Sequence, residues 1–573
     1  MYILGLSAFF RDSAAALIKD GAIVAAAQEE RFTRKKHDGS FPCRAAGYCL
    51  KEAGIRAEEL DAVAFHGTEN REIAEKRIRE DLGFRGKVLF IDHYRSHASS
   101  AFYPSPYEQA AVVTLDDISS EVTGSLSLGR GNSLVTLEEM RSPDSLGLLY
   151  SAFTHYCGFS VNADEYKLMG LAPYGEGTYV DTILDNILKI EEDGTFSLDG
   201  SYFDERCVHS LTNGKFDELF DGVRRRPWEK IEKKHMDLAR SVQIVTEMAV
   251  KAIVLRAKEK TGLRHLCMAG SVALNCVSNG KLLEEGCFEG IWIQPSSGDE
   301  GGALGAALAA YYGSLRGARK TSGSSDAQNM SLLGPSYTQE QIEAYLVEND
   351  IVHRKMDTEE LLDTVADLLA GQNIIGWFQG RMEYGPRALG SRSILADPRC
   401  RQMQSVINDR VKYREPFRPF APSVLFERRG DYFRMRGESP YMLFAVGLNE
   451  QKRLNGAVNG KLKGMDKLRI RRSEVAAVTH IDYTSRVQTV TESGNPMFHG
   501  LLKKFFQRHG CPMLVNTSFN IKGEPIVCTP GEAYNCFMGT GIDYLVMDRF
   551  LIRKEDNRKR NAKKEEIVTC GYF

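Results

Sequence analysis

Apolar positions at the front of the chain come in short, strand-length runs separated by turn residues. Ile3 to Leu6, Ser13 to Ile18 and Ala22 to Ala27 are three such runs, and Lys19-Asp20-Gly21 predicts a hairpin turn between the last two. The period then changes. Residues 43–54 read as a helix, 88–91 and 111–115 as strands framing a short helix, and 234–260 as a long amphipathic helix. Strand, turn and helix follow from Leu266. This alternation predicts α/β architecture. From Gly313 to Ser325 the chain becomes polar, small and unpatterned. An interdomain linker over 316–336 is expected there, with a long surface loop as the alternative. The expected division is 1–315, then the linker, a second α/β domain over 337–552 and a charged tail over 553–573. No internal repeat is evident.

Length and composition add little detail but exclude much. A chain of 573 residues is too long for one core. Its 43% hydrophobic and 26% charged residues are ordinary, and a net charge of −2 gives no electrostatic reason for nucleic acid or membrane as a partner. The opening Met-Tyr-Ile-Leu enters a strand without a basic leader, and no apolar run reaches the ~18–20 residues of a membrane helix. Twelve cysteines without a C-x-x-C pair imply reduced thiols. A cytoplasmic protein acting on small molecules is expected, with a homodimer left open.

His93 and His97 open a helix after a strand, and their spacing points both imidazoles the same way. Such pairs are often plain polar residues. Asp116 at a strand end and Asp299 in the turn Pro295 to Gly302 could complete a divalent-metal set, although each could simply cap a helix. Two histidines and two aspartates would leave coordination positions for phosphate oxygens. The turn Met268-Ala269-Gly270-Ser271 leading to Asn275 is small enough for a nucleotide to approach, and Lys167 before Gly170 could reach a phosphate or cover a helix end. There is no P-loop and no G-x-G-x-x-G after the first strand. Further on, Gly376 to Arg392, Val411 to Glu415, Arg418 to Pro422, Thr484 to Thr489 and Val515 to Asn520 carry arginines, a lysine and hydroxyls among Gly, Pro and aromatic residues. That mixture suits a small phosphorylated anion.

The pieces I-L-G-L-S-A-F, Q-E-E-R-F-T-R-K-K-H, D-E-Y-K-L-M-G-L-A-P-Y-G and A-G-S-V-A-L-N together resemble the NodU/CmcH family of O-carbamoyltransferases, across almost the whole chain. The resemblance implies an actin/Hsp70-like ATPase-superfamily front domain, similar to the tRNA threonylcarbamoyl-transferase module, and a YrdC-like α/β second domain. It implies His93, His97, Asp116 and Asp299 as ligands of a divalent metal, iron first, with Mn, Mg or Zn as alternatives. ATP is the implied co-substrate, with Lys167, Gly270, Ser271, Asn275 and Asp299 around it. Lys412, Arg418, Arg486 and Ser518 would hold carbamoyl phosphate, with Arg387 and Asn520 as further candidates. Carbamate released there would become carbamoyl-adenylate and pass to a small-molecule hydroxyl.

The family's H-D-x-S-A-A-L reads Arg11-Asp12-Ser13-Ala14-Ala15-Ala16-Leu17 here. The family histidine is a general-base candidate, and arginine stays protonated at any working pH. Arg11 and Asp12, with Lys412 and Arg418, are the candidate catalytic residues. The departure keeps open an amine acceptor, another adenylate, or an inactive nucleotide-binding partner subunit. His66 could supply the missing base, a structural histidine being the plainer reading. Asp117 and Ser271 add side chains where the family keeps the backbone bare.

Overall fold

The computed structural model describes residues 1–117, 121–204, 211–454 and 462–558. The charged tail expected after Arg553 lies outside the described residues beyond 558.

The first three apolar runs form β1 (Tyr2–Ser7), β2 (Ala14–Lys19) and β3 (Ala22–Gln28), antiparallel, with the hairpin turn where Lys19-Asp20-Gly21 predicts it. β4 (Ala62–His66) and β5 (Lys87–Ile91) add in parallel on the other side of β1, giving the order β3-β2-β1-β4-β5. The next strands repeat this plan. β6 (Gln109–Leu115), β7 (Val122–Arg130) and β8 (Ser133–Arg141) are antiparallel. After a small hairpin, β9 (Leu188–Ile190) with β10 (Phe196–Leu198), the strands β11 (His265–Ala269) and β12 (Gly290–Ile293) join β6 in parallel. The order is β12-β11-β6-β7-β8, so each sheet reads third-second-first-fourth-fifth. This is the duplicated actin/Hsp70-like ATPase plan. The repeat is one of topology, which is why no sequence period reveals it.

Each fifth strand feeds a helix into the space between the sheets: His93–Phe102 after β5 and Asp299–Ala309 after β12. In Asp-Glu-Gly-Gly-Ala-Leu-Gly-Ala-Ala-Leu-Ala seven of eleven residues are Gly or Ala, and from Glu300 onward every one is buried. Small side chains let the two helices touch nearly backbone to backbone. At Gly305 an added Cβ would lie 1.8 Å from the carbonyl oxygen of Ser96, between His93 and His97.

The second half is built on an eight-stranded mixed sheet. In chain order its strands are β13 (Arg354–Lys355), β14 (Ile375–Phe378), β15 (Arg392–Ala396), β16 (Ala421–Leu425), then β19 (Gln488–Val490), β20 (Met513–Ser518), β21 (Tyr544–Met547) and β22 (Phe550–Arg553). Between them β17 (Ala445–Gly447) pairs with β18 (Thr484–Arg486). The order is β13-β22-β21-β14-β15-β20-β16-β19.

The two halves share one apolar core, which runs from Ala111 and Val113 through to Phe550 and Ile552. Polar contacts stitch the same boundary. Tyr384 Oη donates to the Glu300 carbonyl, Ser296 Oγ donates to the Tyr384 carbonyl at 3.0 Å, and Arg34 donates to the carbonyls of Ile526 and Pro525 at 2.7 and 2.8 Å. Residues 316–336 pack against both halves, with Ser331, Gly334 and Pro335 hydrogen-bonded to the backbone of Tyr384 and Met382. Arg319 donates to four backbone carbonyls, those of Phe102, Tyr103, Ser105 and Tyr107, and Asp326 accepts from Trp292 and Tyr441.

Gly305→Ala is expected to destabilise the protein by about 1–3 kcal/mol, because the clash is with backbone and cannot be relieved by a rotamer change. Gly47→Ala, on an open helix surface, is expected to be neutral or stabilising by up to ~1 kcal/mol. Thermal melting of both variants checks this, and equal effects would contradict the packing account.

Candidate active site

The duplicated fold decides where the acids go. Asp12 follows β1 and Asp116 follows β6, the first strand of each repeat, so both leave their sheets at the cleft between the repeats. The two inserted helices bring His93 and His97 from one side and Asp299, in its first turn, from the other. Nε2 of His93 lies 3.2 Å from Nε2 of His97, and Asp116 Oδ2 lies 2.9 Å from the first and 3.1 Å from the second. Neighbouring donors of an octahedral divalent ion with bonds of about 2.1 Å sit about 3 Å apart, so this spacing fits a ligand set.

The electrostatics point the same way. Burial alone would discharge His93, but the hydrogen bond and charge of Asp116 outweigh it and hold its pKa at about 9. Asp116 is held well below the usual carboxylate range, because the pull of His97 and His93 overcomes burial. Asp299 is pushed up to about 7 by burial, opposed by His93 and reinforced by Asp116, Asp117 and Asp12. Burial and Asp12 push Glu300 well above its usual value. Carboxylates gathered beside imidazoles in this way form a setting that could hold a cation.

His66 extends this group. It is fully buried, its ring centroid is 4.4 Å from that of His93 and 5.2 Å from that of His97, and neither ring nitrogen has a hydrogen-bond partner among the described residues. Burial, then His93 and His97, hold it neutral with a free lone pair. Ligand atoms of His66, His93, His97 and Asp299 all lie within 4.8 Å of one another. His66 does not border the cavity described below, so the base role considered for it is not served by its position.

Cations collect on the other half. Lys412 is 3% exposed, and Nζ donates to the Ser518 carbonyl, to Ser518 Oγ at 3.2 Å, to the Asn520 carbonyl at 3.0 Å and to Asn520 Oδ1 at 2.8 Å. Ser518 Oγ in turn donates to Asn520 Oδ1 at 2.7 Å, so three of the residues proposed from sequence form one network. Arg418 lies over the Tyr166 ring at 4.6 Å, with Glu415 at 3.6 Å. Burial, followed by Arg486, pushes Arg387 down to about 9, and its Nε lacks a partner among the described residues. Burial also lowers Lys412 and Arg486, the former with help from Arg414. This is a positive cluster with too few anions of its own.

Both clusters border one cavity of about 900 Å³. Arg11, Asp12, Asp116, Asp299, Ser271 and Asn275 line it from the front half; Arg387, Lys412, Arg418, Arg486, Ser518 and Asn520 line it from the back. The volume is that of a site for a ligand of drug or nucleotide size.

Some expected residues are already engaged. Lys167 borders the cavity but is paired with Asp164 at 2.8 Å and Glu415 at 3.6 Å. Asn275 caps the helix Cys276–Glu285 by accepting from Ser278 N at 3.1 Å. Ser271 donates its backbone N–H to Asp116 Oδ1 at 3.0 Å. Gly270 is not on the cavity wall. Its φ of 91° and its approach to Leu115, where a Cβ would meet the carbonyl oxygen at 2.2 Å, serve the turn itself. Arg11 donates through its backbone to Asp299 Oδ2 at 3.3 Å and through Nη1 to the Val161 carbonyl at 3.0 Å. Glu30, Lys36 and His37 also line the cavity. Sequence reasoning assigned them nothing, although they sit in the Q-E-E-R-F-T-R-K-K-H stretch that carries the resemblance.

The family described as carbamoyltransferase N-terminus matches residues 2–80 and 71–308, and that described as carbamoyltransferase C-terminus matches 366–554. The chain belongs to the carbamoyltransferase family of NodU/CmcH type, and it is an enzyme of that kind. An uncharacterized protein of Synechocystis sp. is 48% identical over 99% of both chains. Nodulation protein NolNO of Sinorhizobium fredii is 34% identical over 95% of this chain and 79% of its own. 3'-hydroxymethylcephem-O-carbamoyltransferase of Amycolatopsis lactamdurans is 26% identical over 86% of each.

His93→Ala and Asp299→Ala are each expected to cut divalent-metal content at least ~10-fold, the scale on which metal-site support acts. Elemental analysis of the purified variants measures this. Unchanged occupancy in both would contradict the assignment.

Proposed function

We propose that the enzyme transfers a carbamoyl group from carbamoyl phosphate, by way of carbamoyl-adenylate formed with ATP, to a hydroxyl of a small natural-product acceptor. The observation that carries this reading is the single cavity with opposite charge at its two ends. A small phosphorylated anion suits the end with Lys412, Arg418, Arg486 and Ser518. Guanidinium forks take phosphate oxygens in pairs, and Arg387 has an unpartnered Nε to offer. Carbamate freed there can reach the front half without entering bulk water, where it would decompose. A divalent ion held by His93, His97, Asp116 and Asp299, with His66 as a further donor, would neutralise nucleotide phosphate oxygens. The acceptor class rests on the relatives named above, whose printed activities include carbamoylation of a cephem hydroxyl.

Charge-removing changes at the two ends separate the two half-reactions. Lys412→Ala or Arg418→Ala is expected to lower phosphate release from carbamoyl phosphate roughly 30- to 1000-fold, the equivalent of about 2–4 kcal/mol for a charged contact in a dry site. ATP binding measured by calorimetry is expected to be unchanged. Loss of nucleotide binding in these variants would contradict the division between the two ends.

A further inference from the structure

Arg11 leaves the front end of the cavity without the histidine that precedes the aspartate elsewhere in the family. The fold supplies another imidazole within the same space. His37 lies on the cavity wall, and its Nδ1 is 2.9 Å from Asp12 Oδ1. Its position is held from several sides. The His37 backbone N–H donates to Glu30 Oε2 at 2.9 Å. The carbonyls of Asp38 and Gly39, the next two residues, accept from Ser13 N and Phe9 N, both at 2.9 Å, in the β1–β2 connection that carries Asp12. Arg34, three residues earlier, is fixed to the back half through Pro525, Ile526 and Glu532. His37 itself has a φ of 56°, the left-handed region, which a non-glycine residue adopts where its surroundings impose it. The ring therefore has one nitrogen tied to a carboxylate and the other, Nε2, with no partner among the described residues. A carboxylate on Nδ1 fixes the tautomer that leaves Nε2 as proton acceptor.

The geometry points to His37, oriented by Asp12, as the general base that takes the proton of the acceptor hydroxyl. This rests on the carbamoyl-adenylate reading above. In the step, the acceptor oxygen forms a bond to the carbamoyl carbon as its O–H proton passes to His37 Nε2. The bond from that carbon to the AMP phosphate oxygen breaks, and AMP leaves with the electron pair. Nδ1–H donates to Asp12 throughout, and the Nε2 proton is lost to water after product release. Arg11 then anchors rather than deprotonates, consistent with its bond to Val161.

The test compares two nucleophiles on the full-length enzyme with its metal, ATP and carbamoyl phosphate. Glycerol, a plain alcohol, needs a base; hydroxylamine attacks without one and gives hydroxyurea. His37→Asn is the variant, because Asn tolerates positive φ. Carbamoylated glycerol is expected to fall about 100-fold or more, the usual scale for a general base, while hydroxyurea formation changes less than about 3-fold. Asp12→Asn is expected to give the same split with a smaller loss. Equal losses with both nucleophiles, or no loss with glycerol, would overturn the assignment. So would a fall in bound divalent metal in His37→Asn, which would make Asp12, Glu30 and His37 a second ion site. Absence of ATP–pyrophosphate exchange in the unaltered enzyme would instead sink the adenylate reading itself.

Discussion

Charges of one sign buried together cost several kcal/mol per ion unless opposite charge is bound with them. This chain gathers buried charge on both walls of a cavity, carboxylates backed by imidazoles from the front half and guanidiniums with a lysine from the back. His93 and His97 offset Asp116, but part of each end stays unbalanced: burial pushes Asp299 and Glu300 up and pushes Arg387 and Lys412 down. In the proposed reading, bound partners of the right sign would relieve both, a cation at the first and a phosphorylated anion at the second. The rest of the architecture brings both groups to the walls of one cavity. A core continuous across the two halves fixes their distance, and buried hydrogen bonds such as Tyr384 to Glu300 fix their orientation.

The duplicated five-stranded plan explains why the acidic end exists. Equivalent first strands deliver Asp12 and Asp116 to the same cleft, and equivalent inserted helices deliver the histidines and Asp299 to it from opposite sides. The helices can come that close only because one of them is made of glycine and alanine. Packing here sets the spacing of His93, His97 and Asp299, so a structural residue such as Gly305 and a polar one such as His97 answer to the same constraint.

The chemistry most legible in the sequence was that written in local spacing. His93 and His97 are one helical turn apart, so their shared face follows from secondary structure, and Asp116 is marked by ending an apolar run; that all three meet depends on the fold. The strands, the hairpin at Lys19-Asp20-Gly21 and the helices near 43–54 and 234–260 were legible for the same reason. What depends on tertiary approach was not. The repeat shares strand order but no residue period. His66 reads as an ordinary strand-end residue until two other imidazoles pack on it. Lys36 and His37 read as part of a basic run, and only the anchoring of Arg34 to the back half and of Asp38 and Gly39 to the β1–β2 connection turns them into the cavity. Gly270 shows the reverse: a glycine turn suggestive of phosphate is used against the chain's own backbone at Leu115.

The central claim is that carbamoyl groups travel from the basic end to the acidic end inside one enclosure. The direct measurement is isotope dilution. The enzyme, ATP and an acceptor would be supplied with carbon-13-labelled carbamoyl phosphate in the presence of excess unlabelled bicarbonate and ammonium. The account predicts product carrying the full carbon-13 content of the donor. Product diluted toward the bulk bicarbonate would show that the carbamoyl carbon escapes between the two ends, and would contradict it.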